Sequence, residues 1–159
     1  MSITEKDKEY MREAIRLADE SVKNGGGPFG AVIVRNGEIV AGSANSVTID
    51  NDPTAHAEVN TIRQACKKLG TFDLSDCVIY TSCEPCPMCL GAIYWARIKK
   101  IYYGNTKKDA ADINFADDFI YKELEQRKEK RFVPPISLLR NEALKTFRAW
   151  EAKQDKVEY

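Results

Sequence analysis

Whatever fold this chain adopts must bring together two short runs, His56-Ala57-Glu58 and Pro85-Cys86-Pro87-Met88-Cys89. The first holds the only histidine, and the second holds two of the five cysteines, three residues apart. One imidazole, two thiols and a spare carboxylate are the parts of a catalytic Zn2+ site. Three side chains serve as ligands, a fourth position stays open for water, and the carboxylate is not needed as a ligand. On that reading His56, Cys86 and Cys89 hold the metal, while Glu58 takes a proton from the water and passes it on.

The spacing also says where the metal sits. Cys86 and Cys89, at i and i+3, share one face at the start of a helix, whose positive end favours thiolates. His56 and Glu58, at i and i+2, would point apart within a helix. Both reach one site only where a helix begins, and Asp52-Pro53-Thr54 marks such a beginning. Zinc is therefore expected between the starts of two helices. A competing arrangement is a closed structural Cys3His site that adds Cys83. Against it, Glu84-Pro85 places Cys83 on the loop before the helix, and Glu58 would then have no purpose. An iron–sulfur cluster lacks a nearby fourth cysteine. Cys66 and Cys77 fall in apolar patterns and are expected to be core.

Around these runs the pattern predicts alternating elements. Residues 4–24 form an amphipathic helix with Thr4 as its cap, ended by Gly25-Gly26-Gly27-Pro28. Two apolar runs, 29–34 and 38–41, flank Asn36-Gly37, the strongest short hairpin signal. A polar loop over 46–54 precedes a helix from about Ala55 to Leu69, closed by Gly70. A strand at 78–81, a helix over 88–96 with Pro87 at its first position, and a strand at 101–103 follow. Beyond these, residues 117–125 and 138–153 read as helical, separated by a charged stretch and Pro134-Pro135. The order predicts an α/β protein, a three-layer α/β/α sandwich. Its central sheet is mixed, with an N-terminal hairpin and parallel last strands.

At 159 residues, 43% apolar and 30% charged, the chain has the makeup of a single globular domain whose core needs no disulfides. Three cysteines within residues 83–89 are too clustered for a disulfide framework and suit metal binding in a reducing compartment. The opening residues carry no apolar run or cleavage site, and no run of about 18 apolar residues occurs. The expectation is a cytoplasmic protein with no membrane span. Lys plus Arg equals Asp plus Glu at 24 each, without the basic surplus that long nucleic acids usually draw, so no nucleic-acid partner is expected.

Three segments carry a resemblance to a known family: Gly26-Gly27-Pro28-Phe29-Gly30-Ala31-Val32, Asn51-Asp52-Pro53-Thr54-Ala55-His56-Ala57-Glu58 and Thr81-Ser82-Cys83-Glu84-Pro85-Cys86-Pro87-Met88-Cys89. Together with Phe119-Ile120-Tyr121-Lys122-Glu123 and the ending Glu158-Tyr159, they resemble bacterial guanine deaminases, members of the cytidine deaminase superfamily. The zinc motifs are specific to the superfamily only, and the later segments make the case for guanine. The resemblance implies a cytidine deaminase-like fold, Zn2+ on His56, Cys86 and Cys89, and Glu58 as proton shuttle. Cys83 matches a position the family does not use as a ligand. It implies a purine-base pocket in which Asn45 holds the purine edge and Phe29 and Trp95 pack on the ring, completed by Asp117 and Tyr159. It also implies a homodimer in which the C-terminal segment, about 130–159, crosses to the partner, so that Tyr159 serves the neighbouring site.

Read without the family, Phe29 and Trp95 sit in apolar runs that suit a core, and Asn45 ends a strand. Asp117 and Asp118 suit a helix cap, and an alignment shifted by one would move the role to Asp118. Tyr159 reads as a frayed terminus, and the charges from Lys122 to Arg131 as a solvated face. The rival activities are deamination of adenosine in tRNA, which shares the zinc motifs, and of cytosine or cytidine. From another class, the chain could be a binding module with structural zinc.

Overall fold

Asn36 and Gly37 take φ of 52° and 79°, the positive pair that a type I′ turn demands, and join the first two strands as an antiparallel hairpin. These strands are β1 (Gly30–Arg35) and β2 (Glu38–Ala44). In the computed structural model, which describes residues 2–159, β3 (Cys77–Cys83) pairs antiparallel with β1, and β4 (Ile101–Asn105) pairs parallel with β3. The sheet order is β2-β1-β3-β4, a mixed sheet with an N-terminal hairpin as anticipated.

The described residues divide into two compact units, one ending at Asp118 and the other running Phe119–Tyr159. The first contains α1 (Glu5–Lys23), α2 (Val47–Asp50), α3 (Ala57–Leu69), α4 (Pro87–Trp95) and α5 (Lys107–Asp112). Side chains alternate across β1, as the pleat requires. Val32 and Val34 face Tyr10 and Ala14 of α1, while Ile33 faces a second core with Ile79, Ala65 of α3, and Ile93 of α4. Helices thus cover both faces, which makes the three layers. Each fully buried aliphatic contributes about 1.5–3 kcal/mol to that packing. The layers approach closely where α1 crosses β1: a Cβ on Gly30 would run into the Ala14 carbonyl. Cys77 is buried in the second core and Cys66 packs against it, as expected.

Several boundaries move from their expected places for local reasons. β2 runs to Ala44 rather than residue 41, which carries the strand up to Asn45. The polar loop contains α2, a single turn closed by Asn51 in the left-handed conformation. α3 begins at Ala57, two residues late, because His56 is extended (φ −72°, ψ 154°) and acts as its N-cap. α5 was not anticipated; it starts on a capping box in which Thr106 and Asp109 bond each other's backbone N–H.

The second unit has two helical elements, α6 (Asp118–Glu125), which begins at the last residue of the first unit, and α7 (Arg140–Ala152), near the expected 117–125 and 138–153. The Phe132 N–H donates to Glu123 Oε2 at 2.7 Å, and the Phe119 and Phe132 rings meet edge-on at 6.1 Å. None of its residues is buried. Among the described residues, no helix is long and apolar enough to cross a membrane.

Candidate active site

Two helix starts converge here. His56 is the N-cap of α3 and Cys86 the N-cap of α4, both extended, with Pro87 opening α4. Glu58 and Cys89 lie in the first turns behind them. His56 Nδ1 is 3.5 Å from both Cys86 Sγ and Cys89 Sγ. Zn–S near 2.3 Å and Zn–N near 2.0 Å at a tetrahedral angle would put sulfur and nitrogen about 3.5 Å apart, so the spacing suits zinc. All three ligand atoms lie within 4.8 Å of one another.

Cys83 is outside that group. Its Sγ lies 3.8 Å from the Thr106 carbonyl, and burial pushes the thiol up to about 11, which keeps it protonated. Within the group, the bond from Cys89 and then the His56 contact hold the Cys86 thiol well below its ordinary range. The Cys86 thiolate and burial in turn push the Cys89 thiol upward. Glu58 is 5% exposed, its Oε2 lies 3.2 Å from Cys89 Sγ, and burial raises its pKa. Two thiols and a carboxyl thus crowd around a single imidazole. A dication is the group that this donor set fits, because it would compensate both thiolates.

Glu58 Oε1 accepts from the Thr81 hydroxyl at 2.9 Å. The motifs did not reveal Thr81; the available signal was the strand period, which places Thr81 and Cys83 on the same face of β3.

The other anticipated residues lie as follows. The Asn45 N–H donates to the Phe29 carbonyl at 3.0 Å, and Asn45 Oδ1 accepts from the Val47 N–H at 3.1 Å, leaving the amide NH2 as its available end. Asn60 pins the surrounding loop by donating to Ala44 O and Ser46 Oγ, each at 3.0 Å. Phe29 meets Phe115 edge-on at 5.0 Å. Asp117 has a buried Oδ1 that accepts no hydrogen bond among the described residues, and burial raises its pKa, with Cys86 adding to the rise. Asp118, by contrast, is exposed at the start of α6. Trp95 ends α4 and is 68% exposed, so it is no core residue. Tyr159 is exposed and belongs to the second unit.

The family model of the cytidine and deoxycytidylate deaminase zinc-binding region matches residues 4–105, which include His56, Glu58, Thr81, Cys86 and Cys89. The chain belongs to this deaminase family. Guanine deaminase of Bacillus subtilis (strain 168) is 54% identical to this deaminase over 151 residues, 94% of this chain and 97% of that one. The solved structure of the Bacillus subtilis guanine deaminase superposes with a TM-score of 0.92 at 53% identity, covering 96% of this chain and 98% of the other. The tRNA-specific adenosine deaminase of the same strain is 44% identical over 98 residues, 62% of this deaminase and 61% of its own length. A solved structure in complex with 8-azaguanine is 32% identical, with a TM-score of 0.66, covering 68% of this deaminase and 63% of that chain.

Proposed function

We propose that the protein is a guanine deaminase, hydrolysing guanine to xanthine and ammonia. The observation that carries this is the extent of the likeness. Identity with the guanine deaminase runs over 94% of the chain, beyond the zinc-binding region that ends at residue 105. The match to the adenosine deaminase covers 62%, and the balance of 24 basic and 24 acidic residues gives no general pull on RNA.

In this reading His56, Cys86 and Cys89 hold Zn2+, which when bound supplies Lewis-acid activation of the attacking water. Glu58 takes the proton that water loses on attacking C2 and gives it to the ring nitrogen, then moves the remaining proton of the new C2 hydroxyl to the departing amine as the carbonyl forms. Burial suits it to that work, since a raised pKa makes the carboxylate a stronger base. Asn45, its oxygen occupied by Val47, offers N–H donors to an acceptor on the purine edge. Asp117, with an unpaired buried oxygen, accepts from the ring N–H or exocyclic amine. Phe29 and Trp95 pack on the ring. A flat apolar slot with a few fixed polar groups is the usual form of such a pocket.

The finer assembly is part of the same reading. The protein forms a homodimer in which the C-terminal segment, about 130–159, crosses to the partner and Tyr159 completes the neighbouring site. The support is apolar: Phe132, Val133, Ile136, Leu138 and Phe147 are all exposed, and a soluble chain rarely leaves such a set in water. Five unpaired thiols suit a reducing compartment such as the cytoplasm.

The test is conversion of guanine by zinc-loaded protein, with xanthine and ammonia formed in equal amounts. Glu58→Ala is expected to keep stoichiometric zinc and lose turnover, while His56→Ala loses zinc. Near-normal rates in Glu58→Ala would remove the shuttle assignment.

A further inference from the structure

Thr81 is fully enclosed beside the site. It lies on β3, pairing with Ala31 of β1 on one side and Tyr103 of β4 on the other, and is 1% exposed. Its Oγ1 sits 2.9 Å from Glu58 Oε1 and 3.0 Å from the Cys83 carbonyl. A hydroxyl carries one proton and can also accept. It can donate to a carboxylate; equally, it can accept from a carboxylic acid while giving its own proton to the Cys83 carbonyl.

We propose that Thr81 is a positioning residue for Glu58, holding its carboxyl in one place on both sides of the proton transfer. This rests on the reading of Glu58 as the shuttle. Anchoring Oε1 leaves Oε2 aimed toward Cys89 Sγ, 3.2 Å away, at the ligand end of the site. The Cys83 carbonyl ends the strand just before Glu84-Pro85-Cys86, so one hydroxyl ties the shuttle to the segment that carries the ligands. Thr61 provides an internal contrast. It is equally buried, but among the described residues its hydroxyl meets only main-chain carbonyls, Ala57 O at 2.7 Å and Ala31 O at 3.3 Å, and so does structural work alone.

The experiment compares Thr81→Val, Thr81→Ser and Thr61→Val in zinc-loaded protein. Valine keeps the shape and strand preference of threonine and removes only the hydroxyl. Thr81→Val is expected to lower kcat about 10–100-fold, with zinc content retained and KM for guanine changed by less than about threefold. Thr81→Ser should restore most of the rate, and Thr61→Val should cost melting temperature with little change in kcat. Thr81→Ala carries the same expectation should Thr81→Val not fold. A second readout is independent of turnover: Thr81→Val should lower Tm more in the wild-type background than in Glu58→Ala, because the two groups are coupled. Strictly additive Tm shifts, or a Thr81→Val kcat near wild type beside an inactive Glu58→Ala, would overturn the inference alone. An active Glu58→Ala would overturn the shuttle reading and this inference with it.

Discussion

Asn45 has its side-chain oxygen held by the Val47 N–H, and that one bond decides which end of the amide can meet a ligand. Asn45→Asp therefore makes a sharp probe. It keeps an acceptor for Val47 but exchanges two donors for a second acceptor, so a purine acceptor would face a carboxylate. The expected result is a loss of at least about 100-fold in kcat/KM for guanine, with zinc content and Tm little changed. A kcat/KM within a few-fold of wild type would remove Asn45 from the pocket. The zinc residues were legible at this scale because both pairs are local: i and i+3 at one helix start, i and i+2 at another. Thr81 was not, because its meeting with Glu58 spans 23 residues and depends on how β3 lies against α3. Trp95 misled for a different reason. The α4 sequence Pro87–Trp95 is apolar on all sides, so no face pattern marked its last residue as exposed.

At the scale of elements, capping carries much of what was readable. Thr4 caps α1 through a box with Asp7, and Asp7 Oδ1 also accepts from the Tyr80 hydroxyl at 2.6 Å, pinning the helix start to the sheet. The Thr4 side chain first, and then Tyr80, hold the Asp7 carboxyl down to about 2 from an ordinary 3.8. The sign follows from that direction. A lowered folded-state pKa means the ionised carboxylate stabilises the fold above about 4, and that the contribution is lost as pH falls through about 2. Asp7→Asn should therefore melt below wild type at pH 6, with the gap closing between about pH 4 and 2 in parallel thermal scans. A gap that stays constant down to pH 2 would assign the loss to packing. The same capping logic was available at Thr106 and Asp109. It went unread because α5 spans only 6 residues, too few for a helical period to declare itself. The start of α3 fell two residues late because the extended backbone of His56, which places its ring at the site, is incompatible with an earlier helix.

The whole molecule was legible as a layered α/β fold, because β1 alternates and Asn36-Gly37 sets the hairpin. The last 41 residues were not legible in this way. They form a unit of their own without a buried residue, so no core-facing pattern exists to read. If Tyr159 serves a partner's site, co-expressing Glu58→Ala with Tyr159→Ala should recover about a quarter of wild-type activity. Mixed dimers would then each contain one intact site. No recovery would mean that Tyr159 acts within its own chain, and full activity of Tyr159→Ala alone would mean that it does not act at all. The central claim, that this site deaminates guanine, is tested most directly by substrate preference. Ammonia release should be measured side by side from guanine, adenine, cytosine, cytidine and an anticodon stem-loop RNA. The account predicts turnover of guanine and little from the others; turnover of the RNA alone would contradict it.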